Sequence, residues 1–483
     1  MRYWIQYIDV NVPSSHKTIR DSAIQLAARA DLARKHAGNQ SLSATAVHYP
    51  YWRDAAAGPA IGIPLRGNTE TEFAIIGGGV AGVVTALNLA QAGHAPLLLE
   101  ADEIGSAATG FSAGVVAPQL VQNSIDSLRA KWGADAAGRL LTMLGQAGDY
   151  VFSLARDHDA DASAAQSGFI APAMSRGGVA KLEAIARDWA PFRSDVSVLD
   201  AAETAAMTGL SGYSGALLDR SGGMINPLVY SQGLARAAIA AGARIHTGSA
   251  VTGLSRRGNG WLIETATGRV RARRVILCAN AANGQIHPAL KGTTLPLEVC
   301  EVATAPISDA LRARILPGGQ SLTDVEADVF SIRYHDGGGL VTAYPAGAKV
   351  DDETVTRMVN ARLAASIPGW EPLPLTHIWR GTAAVNSTLL PRLVTVDEGL
   401  IAIQACNGRG LALNSILGRE LARWIVAPSA SLPPLPLSKP ARISGYLVAR
   451  YAPKLIMTAA LAVKRVRQFF GPSAQSAAKT ERD

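Results

Sequence analysis

The sequence predicts an α/β fold built on a parallel sheet, and two segments carry most of that prediction. Residues 70–100 run through a short apolar strand, a glycine-rich turn, a helix with one apolar stripe, and a second apolar strand. Near residue 405 another apolar strand leads through a glycine-containing turn into a helix. Strands that alternate with helices of this length are typical of βαβ units with parallel strands. Residues 295–305 and 330–344 read as strands of a second sheet.

The opening turn has the spacing of a dinucleotide site. Gly77, Gly79 and Gly82 follow the strand at residues 73–76 in the pattern G-x-G-x-x-G. In such turns the first glycine permits a tight bend, the second lets a pyrophosphate approach, and the third lets the helix pack on the strand. The helix N-terminus attracts phosphate, and Glu100 ends the next strand where it can accept hydrogen bonds from a ribose. This stretch alone leaves NAD and FAD open.

Composition narrows the class of protein. A chain of 483 residues is long enough for two or three domains. Cys278, Cys300 and Cys406 lie far apart without a C-x-x-C pair, which favours a reducing compartment and predicts no zinc site. The nine histidines are scattered without metal-ligand spacing, and residues 1–10 do not resemble a secretory signal. We therefore expect a cytoplasmic protein that holds no metal.

The net charge of +8 is concentrated at the two ends of the chain. Residues 1–68 carry +4 and residues 439–483 carry +7, whereas residues 69–438 carry −3. This distribution argues against a nucleic-acid-binding core and suggests that the tail meets something anionic. Residues 455–470 join an apolar segment to closely spaced basic residues. This segment is either a helix on an anionic membrane surface or a helix packed across the core with its basic end in water.

Residues 1–68 precede the dinucleotide turn and form an N-terminal extension. The aromatic run at residues 48–52 suggests a strap laid over the core with Trp52 as its anchor. A partly disordered extension, or a start codon placed too far upstream, is the alternative interpretation.

Three later segments are candidates for the same site. The small-residue loop at residues 106–114 follows the second strand, so the hydroxyls of Thr109 and Ser112 are candidates to contact phosphate or a ring. The apolar strand at 269–279 ends on Asn280, which would face the ligand. Residues 405–410 repeat the strand, turn and helix geometry, so a second helix N-terminus points at something electron-rich. A plain flexible loop and an ordinary βα connection are the alternatives for the first and last.

Taken in this order, these motifs resemble the FAD-dependent amine and amino-acid oxidase family, the D-amino-acid oxidase and glycine oxidase superfamily. The crossing at residues 222–227 belongs to the same ordered set. Within the family, Tyr51-Trp52, Arg380-Gly381-Thr382 and Leu390-Pro391-Arg392 are similar to the γ-glutamylputrescine oxidase-like branch. The resemblance covers roughly residues 48–426.

The resemblance implies FAD and two domains that interleave along the chain. It places a Rossmann-like FAD-binding domain of the glutathione-reductase type at residues 69–120, 212–294 and 378–427. It places a mixed-sheet α+β substrate domain at residues 121–211 and 295–377. Residues 428–483 would be a Pro-rich linker followed by the basic tail.

The resemblance also implies which residues contact FAD. The implied set is Gly77, Gly79, Val80, Ala81 and Gly82 at the pyrophosphate, Glu100 and Ala101 at the ribose, Thr109 and Ser112 in the loop, Val251 at adenine, Ala279 and Asn280 near the pyrophosphate, and Gly408, Arg409, Gly410 and Leu411 at the flavin edge. Phe111 and Ser112 stand where the branch commonly has Arg and Asn, which puts the usual contacts of that loop in doubt. Since no residue matches the family's covalent attachment points, we expect non-covalent FAD.

The implied reaction is oxidation of a C–N bond in an amine or amino acid. In this family a hydride passes to flavin N5, the imine is hydrolysed, and oxygen or a quinone reoxidises the flavin. A substrate carboxylate calls for a bidentate arginine, so Arg333 and Arg380 are the catalytic candidates, with Tyr334 beside the first. A flavin-binding protein with a structural or interaction role is the alternative, because the loop departs from the family pattern at Phe111 and Ser112.

Overall fold

A computed structural model describes residues 46–56, 58–120, 123–326, 329–344 and 350–455. The expectations for residues 1–45 and for the basic tail beyond residue 455 lie outside these ranges. Within them the α/β fold predicted from sequence is confirmed, because strands and helices alternate and form two separate large sheets.

The strands show where the two sheets come from along the chain. In chain order they are β1 (Gly67–Ile76), β2 (Leu97–Leu99), β3 (Val115–Val116), β4 (Phe169–Ala173), β5 (Val196–Leu199), β6 (Gly215–Asp219), β7 (Gly223–Met224), β8 (Arg244–His246), β9 (Val251–Arg257), β10 (Gly260–Thr265), β11 (Gly268–Leu277), β12 (Leu295–Thr304), β13 (Ser321–Thr323), β14 (Ser331–Tyr334), β15 (Leu340–Tyr344), β16 (Leu375–Val385), β17 (Arg392–Asp397), β18 (Leu400–Gln404) and β19 (Leu437–Ser438).

The α-helices fall between these strands. They are α1 (Trp52–Ala55), α2 (Val80–Gln91), α3 (Ile125–Trp132), α4 (Ala134–Gly145), α5 (Ala147–Asp157), α6 (Arg176–Trp189), α7 (Ala201–Thr208), α8 (Pro227–Ala240), α9 (Asn283–Ile286), α10 (Asp309–Arg312), α11 (Asp352–Ser366), α12 (Gly410–Val426) and α13 (Tyr446–Ala449).

The first sheet is the parallel one and carries the opening turn. Its strand order is β19-β17-β18-β11-β1-β2-β8, with the β9–β10 hairpin attached to the first half of β11. The pairs β18–β11, β11–β1, β1–β2 and β2–β8 are parallel, so their carboxyl ends share one edge. In open α/β sheets ligands bind at this edge.

Three helices cover one face of the first sheet. Helix α2 packs between α8 and α12, and ten of its twelve residues are buried. Burial on nearly all sides explains why its sequence is apolar almost throughout rather than along one stripe. Gly418 of α12 lets the two backbones approach, since a Cβ there would lie 3.1 Å from the amide nitrogen of Thr85.

The second sheet is mostly antiparallel and lies beside the first. Its order is β16-β12-β15-β14-β13-β4-β6-β5, and only the β13–β4 pair is parallel. Helix α11 covers one face through Val355, Val359 and Leu363. The opposite face packs against Trp52, against Leu228 of α8 and against the loop around Phe111. This second face therefore looks toward the first domain.

The chain crosses from one sheet to the other at different residues from the predicted domain boundaries. Strand β6 belongs to the second sheet, although the sequence assignment placed residues from 212 onward in the first domain. Strand β16 likewise pairs with β12 along its whole length, past the predicted boundary at 378. Both segments are apolar enough to fit either sheet, and long-range pairing decides between them.

The ends of the described chain also pack on the core. Residues around Val47 add a short bridge to β16 beside His377. The Pro-rich segment predicted as a linker supplies β19, which pairs with β17, and it buries Leu435 completely. This segment is therefore part of the first sheet's edge.

Within the described ranges, no helix combines the length and apolarity needed to cross a bilayer. The His, Cys, Asp and Glu side chains of the same ranges form no cluster suited to hold a metal ion.

Candidate functional site

The opening turn is packed so tightly that only glycine fits at two of its positions. Gly77 has φ +115°, and a Cβ there would lie 2.7 Å from the carbonyl carbon of Cys278. A Cβ at Gly82 would lie 2.0 Å from the carbonyl oxygen of Gly77. At Gly79 the nearest atom would be Oγ1 of Thr109 at 3.1 Å. The turn therefore presents bare backbone at the ligand edge, where a pyrophosphate can approach.

The Glu100 carboxylate is fixed at the end of β2. One oxygen accepts from the backbone N–H of Gly78 at 2.5 Å and the other from the N–H of Asp102 at 3.0 Å. A carboxylate oxygen has two acceptor sites, so each oxygen keeps capacity for a ribose hydroxyl. Ala101, the next residue, is exposed at the same edge. The ribose role of Glu100 stays a prediction, for which its carboxylate keeps free acceptor sites.

Residues before Val251 pack beside this acid. The N–H of Ser249 donates to the Glu100 carbonyl at 2.8 Å, which brings the start of β9 to the ligand edge. Val251 is half-buried there. Its backbone therefore lies near Glu100 at the ligand edge, and its contact with adenine stays a prediction.

The hydroxyls of the loop at residues 109–114 have different partners. Thr109 Oγ1 accepts from the backbone N–H of Val80 at 3.2 Å and so caps the start of α2, whose next residue, Ala81, is buried. The Ser112 hydroxyl donates to the Thr109 carbonyl at 2.8 Å. Thr109 thus lies beside the glycine turn and the start of α2, whereas Ser112 mainly stabilises its own loop.

The second glycine turn lies at the same edge. Asn407 and Gly408 both have left-handed backbone, with φ of +44° and +84°, and Arg409 precedes α12. A Cβ at Gly408 would meet no atom within 4 Å, so this turn faces open space. The first turn of α12, from Gly410 to the buried Leu411, offers N–H groups that no intrahelical acceptor can satisfy. These are the donors that an electron-rich ring edge needs.

The end of β11 lies at the same edge of the first sheet. Asn280 has φ +50° and begins a 3₁₀ turn, and the Ala279 N–H donates to Oδ1 of Asn283 at 2.9 Å. The predicted strand therefore stops at Leu277, two residues earlier than expected. The chain therefore turns sharply at Ala279 and Asn280, directly after β11 ends.

Arg409 stacks on the second sheet. Its guanidinium lies 5.4 Å from the ring centroid of Phe169 in β4, and desolvation lowers its pKa to about 10. The side chain therefore stays charged at neutral pH. A permanent positive charge stands beside the helix N-terminus of α12.

Two buried tryptophans hold the loop at residues 109–114 against the second sheet. The indole N–H of Trp52 donates to the carbonyl of Ser112 at 2.8 Å, and that of Trp379 donates to the carbonyl of Phe111 at 3.1 Å. Their rings meet edge to face with centroids 6.1 Å apart. The N-terminal strap and β16 thus fix two consecutive carbonyls of the loop. Sequence reasoning identified Trp52 as an anchor but did not identify its partner.

Arg333 is buried on the face of the second sheet that meets this loop. Its Nε donates to the carbonyl of Tyr334 at 2.9 Å, and Nη1 donates to the carbonyls of Gly114 at 3.0 Å and Ile225 at 2.5 Å. The guanidinium also lies 4.5 Å from the ring centroid of Trp52. Burial lowers its pKa to about 10, so it stays cationic. Among the described residues, Nη2 has no hydrogen-bond partner.

The other two catalytic candidates lie on the opposite face. The Tyr334 hydroxyl donates to the carbonyl of Ile315 at 2.5 Å, inside the layer covered by α11. Arg380 is exposed and pairs with Cys300, whose side chain is in that same layer. Successive side chains alternate across a strand, so Tyr334 cannot share the face of Arg333. The structure does not bring these three residues together.

Sequence reasoning missed one charged residue on the Arg333 face. Glu301 of β12 is 7% exposed, and burial raises its pKa to about 8, with the charge of Arg333 acting in the opposite direction. Its Oε2 has no hydrogen-bond partner among the described residues. The alternation of side chains along the strand could have identified it, since Glu301 lies on the face of Ala303 and not on that of Cys300.

These features define a dinucleotide-binding site at the edge of the first sheet, and the residues fit a dinucleotide cofactor such as FAD. Two glycines where any side chain would collide, the anchored acid at Glu100 and two helix N-termini converge on one sheet edge. Nδ2 of Asn407, at the second turn, is buried without a partner in the described part of the chain. A ligand with several acceptors suits this set of donors.

The chain belongs to the DAO family of FAD dependent oxidoreductases, which it matches over residues 72–424. The protein is therefore an FAD-dependent oxidoreductase, and the family resemblance seen in the sequence is confirmed. Gamma-glutamylputrescine oxidoreductase of Escherichia coli (strain K12) is 28% identical over 372 residues, which cover 75% of this chain and 85% of that protein.

Solved structures share the fold. Glycine oxidase from Geobacillus kaustophilus aligns with a TM-score of 0.63 at 20% identity, covering 78% of this chain and 100% of that one. L-proline dehydrogenase from P. horikoshii aligns with a TM-score of 0.65 at 18% identity, covering 77% and 96%. At these identities the likeness establishes the fold.

Proposed function

We propose that this oxidoreductase oxidises the C–N bond of an amine or amino acid to an imine, which water then hydrolyses. The observation that carries the proposal is Arg333, a buried cation with a free terminal nitrogen on the sheet face that meets the cofactor domain. The names of the similar proteins, γ-glutamylputrescine oxidoreductase, glycine oxidase and L-proline dehydrogenase, all specify nitrogen-bearing compounds.

In this proposal, separate elements hold separate parts of the cofactor. The turn at Gly77 and Gly82 would hold the pyrophosphate, Glu100 the adenosine ribose, and the start of α12 the flavin edge. Bound non-covalently, FAD would supply a ring that accepts a hydride from the carbon next to the substrate nitrogen. Helix N-termini favour negative charge, so α12 would stabilise charge that develops on that edge.

Arg333 would fix the substrate by its carboxylate. Three backbone carbonyls already orient the guanidinium, so little freedom is lost when a ligand binds. A guanidinium bound to a carboxylate also sets the direction of the neighbouring C–H bond, which is the main requirement of this reaction. The packed indoles of Trp52 and Trp379 would exclude water on this side.

The proposed function is tested by anaerobic bleaching. The purified protein should be yellow, and one class among a panel of amines and D- and L-amino acids should bleach it. A colourless protein that releases no FAD on denaturation would refute the assignment. A yellow protein bleached by none of the panel would instead favour a flavin-binding structural role, for which the Phe111 departure is the supporting observation. Reoxidation by oxygen or by a quinone analogue then identifies the electron acceptor.

Arg333 is tested by a conservative change. Arg333→Lys keeps the charge but loses the planar fork, so KM for a carboxylate-bearing substrate should rise about 10- to 100-fold. Arg269→Lys is the matched control, since Arg269 is exposed and pairs with Glu264 at the surface. Equal KM values in the two variants would remove Arg333 from substrate binding.

The C-terminal segment offers a second surface for a partner. Leu447 and Val448 of α13 are 79% and 75% exposed, and Arg450 follows them. The segment before them is attached to the core, because the Ile443 N–H donates to the Gly292 carbonyl at 2.9 Å. We propose that this end makes peripheral contact with an anionic membrane surface. Liposome flotation with and without residues 441–483 tests it, and equal flotation would dismiss the contact.

A further inference from the structure

Glu301 and Glu298 lie on opposite faces of the same strand. Glu298 is exposed and lies 3.8 Å from Nζ of Lys454 at the surface. Glu301 is buried and pairs in register with Trp379 on one side and Ala343 on the other. The Glu301 side chain therefore shares the face of Trp379 and Arg333, which is the face that meets the cofactor domain.

The buried carboxyl of Glu301 lacks the partner that burial normally requires. Its Oε2 is closed to solvent and accepts no hydrogen bond from the described residues. Arg333 is near enough to influence it electrostatically, yet the two make no ion pair within 4 Å in the described ranges. An unsatisfied buried oxygen costs free energy, and such a group in a native fold calls for an explanation.

The spacing of the two residues suggests what that explanation is. Ala303 and Arg333 both pair with Val341, so Glu301 lies two strands away from Arg333 and two residues along. Strand spacing and rise place their Cα atoms about 12 Å apart. Both side chains lie on the same face of the sheet, so one small ligand held along that face would direct its two ends at the Glu301 carboxyl and the Arg333 guanidinium.

We propose that Glu301 binds the protonated nitrogen of the substrate while Arg333 binds its carboxylate, so that the enzyme selects amino acids over simple amines. The assignment rests on the proposed function and narrows its substrate class to zwitterions. An ammonium beside the carboxyl favours its ionised form, so ligand binding and ionisation of Glu301 reinforce each other. Each charged end of the ligand then has one buried partner, which removes the cost of the unpaired oxygen.

The test compares three ligands that differ only in their charged ends. Proline carries both groups, pyrrolidine carries the nitrogen alone, and cyclopentanecarboxylate carries the carboxylate alone; alanine, ethylamine and propionate form a second set. Each is titrated anaerobically into the FAD-loaded enzyme, and binding is read from the flavin absorption spectrum and from the melting temperature. A ligand that is oxidised also bleaches the flavin, so its affinity is taken from the concentration dependence of the anaerobic bleaching rate, whereas the non-oxidisable carboxylates are followed by both readouts.

Glu301→Gln should bind the preferred amino acid at least about tenfold more weakly and lose its preference over the carboxylate. Glu301→Asp, which keeps the charge, should retain part of the affinity and so excludes a mere folding defect. Glu298→Gln, on the opposite face of the same strand, should bind as the wild type does. Glu301→Gln that binds amino acids as tightly as the wild type would overturn the assignment, as would a wild type that binds no member of either set.

Failure of the proposed function is visible separately. A wild type that binds the amino acids but is bleached by none of them refutes the oxidation while the comparison with Glu301→Gln still decides the binding role. A wild type that is bleached, with Glu301→Gln unchanged in affinity, refutes only the binding role.

Discussion

Replacing Trp52 by phenylalanine tests how this side chain holds the loop at residues 109–114. The change keeps an aromatic ring near Arg333 and removes the indole N–H that donates to the Ser112 carbonyl at 2.8 Å. No other donor among the described residues reaches that carbonyl. The substitution therefore separates the hydrogen bond from the bulk packing of a side chain that is 1% exposed.

The expected loss follows from these contacts. A buried carbonyl left without a donor costs about 1–3 kcal/mol. The smaller ring leaves a cavity worth about 1 kcal/mol more. Trp52→Phe should therefore lower the free energy of unfolding by about 2–4 kcal/mol, and Trp52→Ala by about 4–8 kcal/mol, of which about 3–5 kcal/mol is lost packing and about 1–3 kcal/mol the lost bond. The ring over Arg333 is kept in the first variant, so Arg333-dependent binding should fall only in the second.

The assay is chemical denaturation of the FAD-loaded enzyme followed by far-UV circular dichroism at a fixed excess of FAD, because bound cofactor itself stabilises the fold. Trp424→Phe is the control for the chemical change, since its indole is half-buried in α12 and has no hydrogen-bond partner in the described part of the chain. Equal shifts of the denaturation midpoint for Trp52→Phe and Trp424→Phe would refute the reasoning. Non-additivity in the Trp52→Phe, Trp379→Phe double variant would show that both indoles hold one loop.

Two further changes are predicted from the structure. Gly82→Ala places a Cβ 2.0 Å from the Gly77 carbonyl oxygen. Relieving this clash costs about 3 kcal/mol, so FAD binding measured by fluorescence titration should weaken about 100-fold. The control is Gly138→Ala, which should bind FAD normally because its Cβ would meet no atom within 4 Å. Glu301 has a pKa near 8 when folded, above its ordinary value of 4.5, so its stabilising contribution is lost as pH rises through 8. Glu301→Gln should therefore gain stability relative to the wild type between pH 5 and pH 8.5 in denaturation series, and parallel curves would contradict the burial of this carboxyl.

The elements that local sequence signals define were predicted well. Helix α2 begins and ends where the spacing after Gly79 indicated, because the glycine turn and the apolar pattern both act within a few residues. The second helix N-terminus before Gly410 was found for the same reason. Such signals locate the cofactor half of the site without knowledge of any distant contact.

The substrate half depends on register, which local patterns do not determine. Arg380 and Tyr334 were chosen for their residue types and their neighbours in sequence, yet strand parity turns both away from the Arg333 face. Glu301 was missed because an acidic residue in an apolar strand is normally predicted to be exposed. Only its pairing with β15 and β16 shows that it is on the buried face. The hydrogen bond from Trp52 joins residues sixty positions apart, so no local sequence pattern predicts it.

The order of strands in the first sheet has a consequence for how this enzyme is made. Strand β1 pairs with β11, and β11 pairs with β18, which is followed by α12 at Gly410–Val426. A nascent chain that stops before β18 exposes the apolar edge of β11 and lacks the second helix N-terminus. With the flavin edge at α12 as proposed, loading waits until almost the whole chain has left the ribosome, and truncated products are expected to aggregate rather than form smaller flavoproteins.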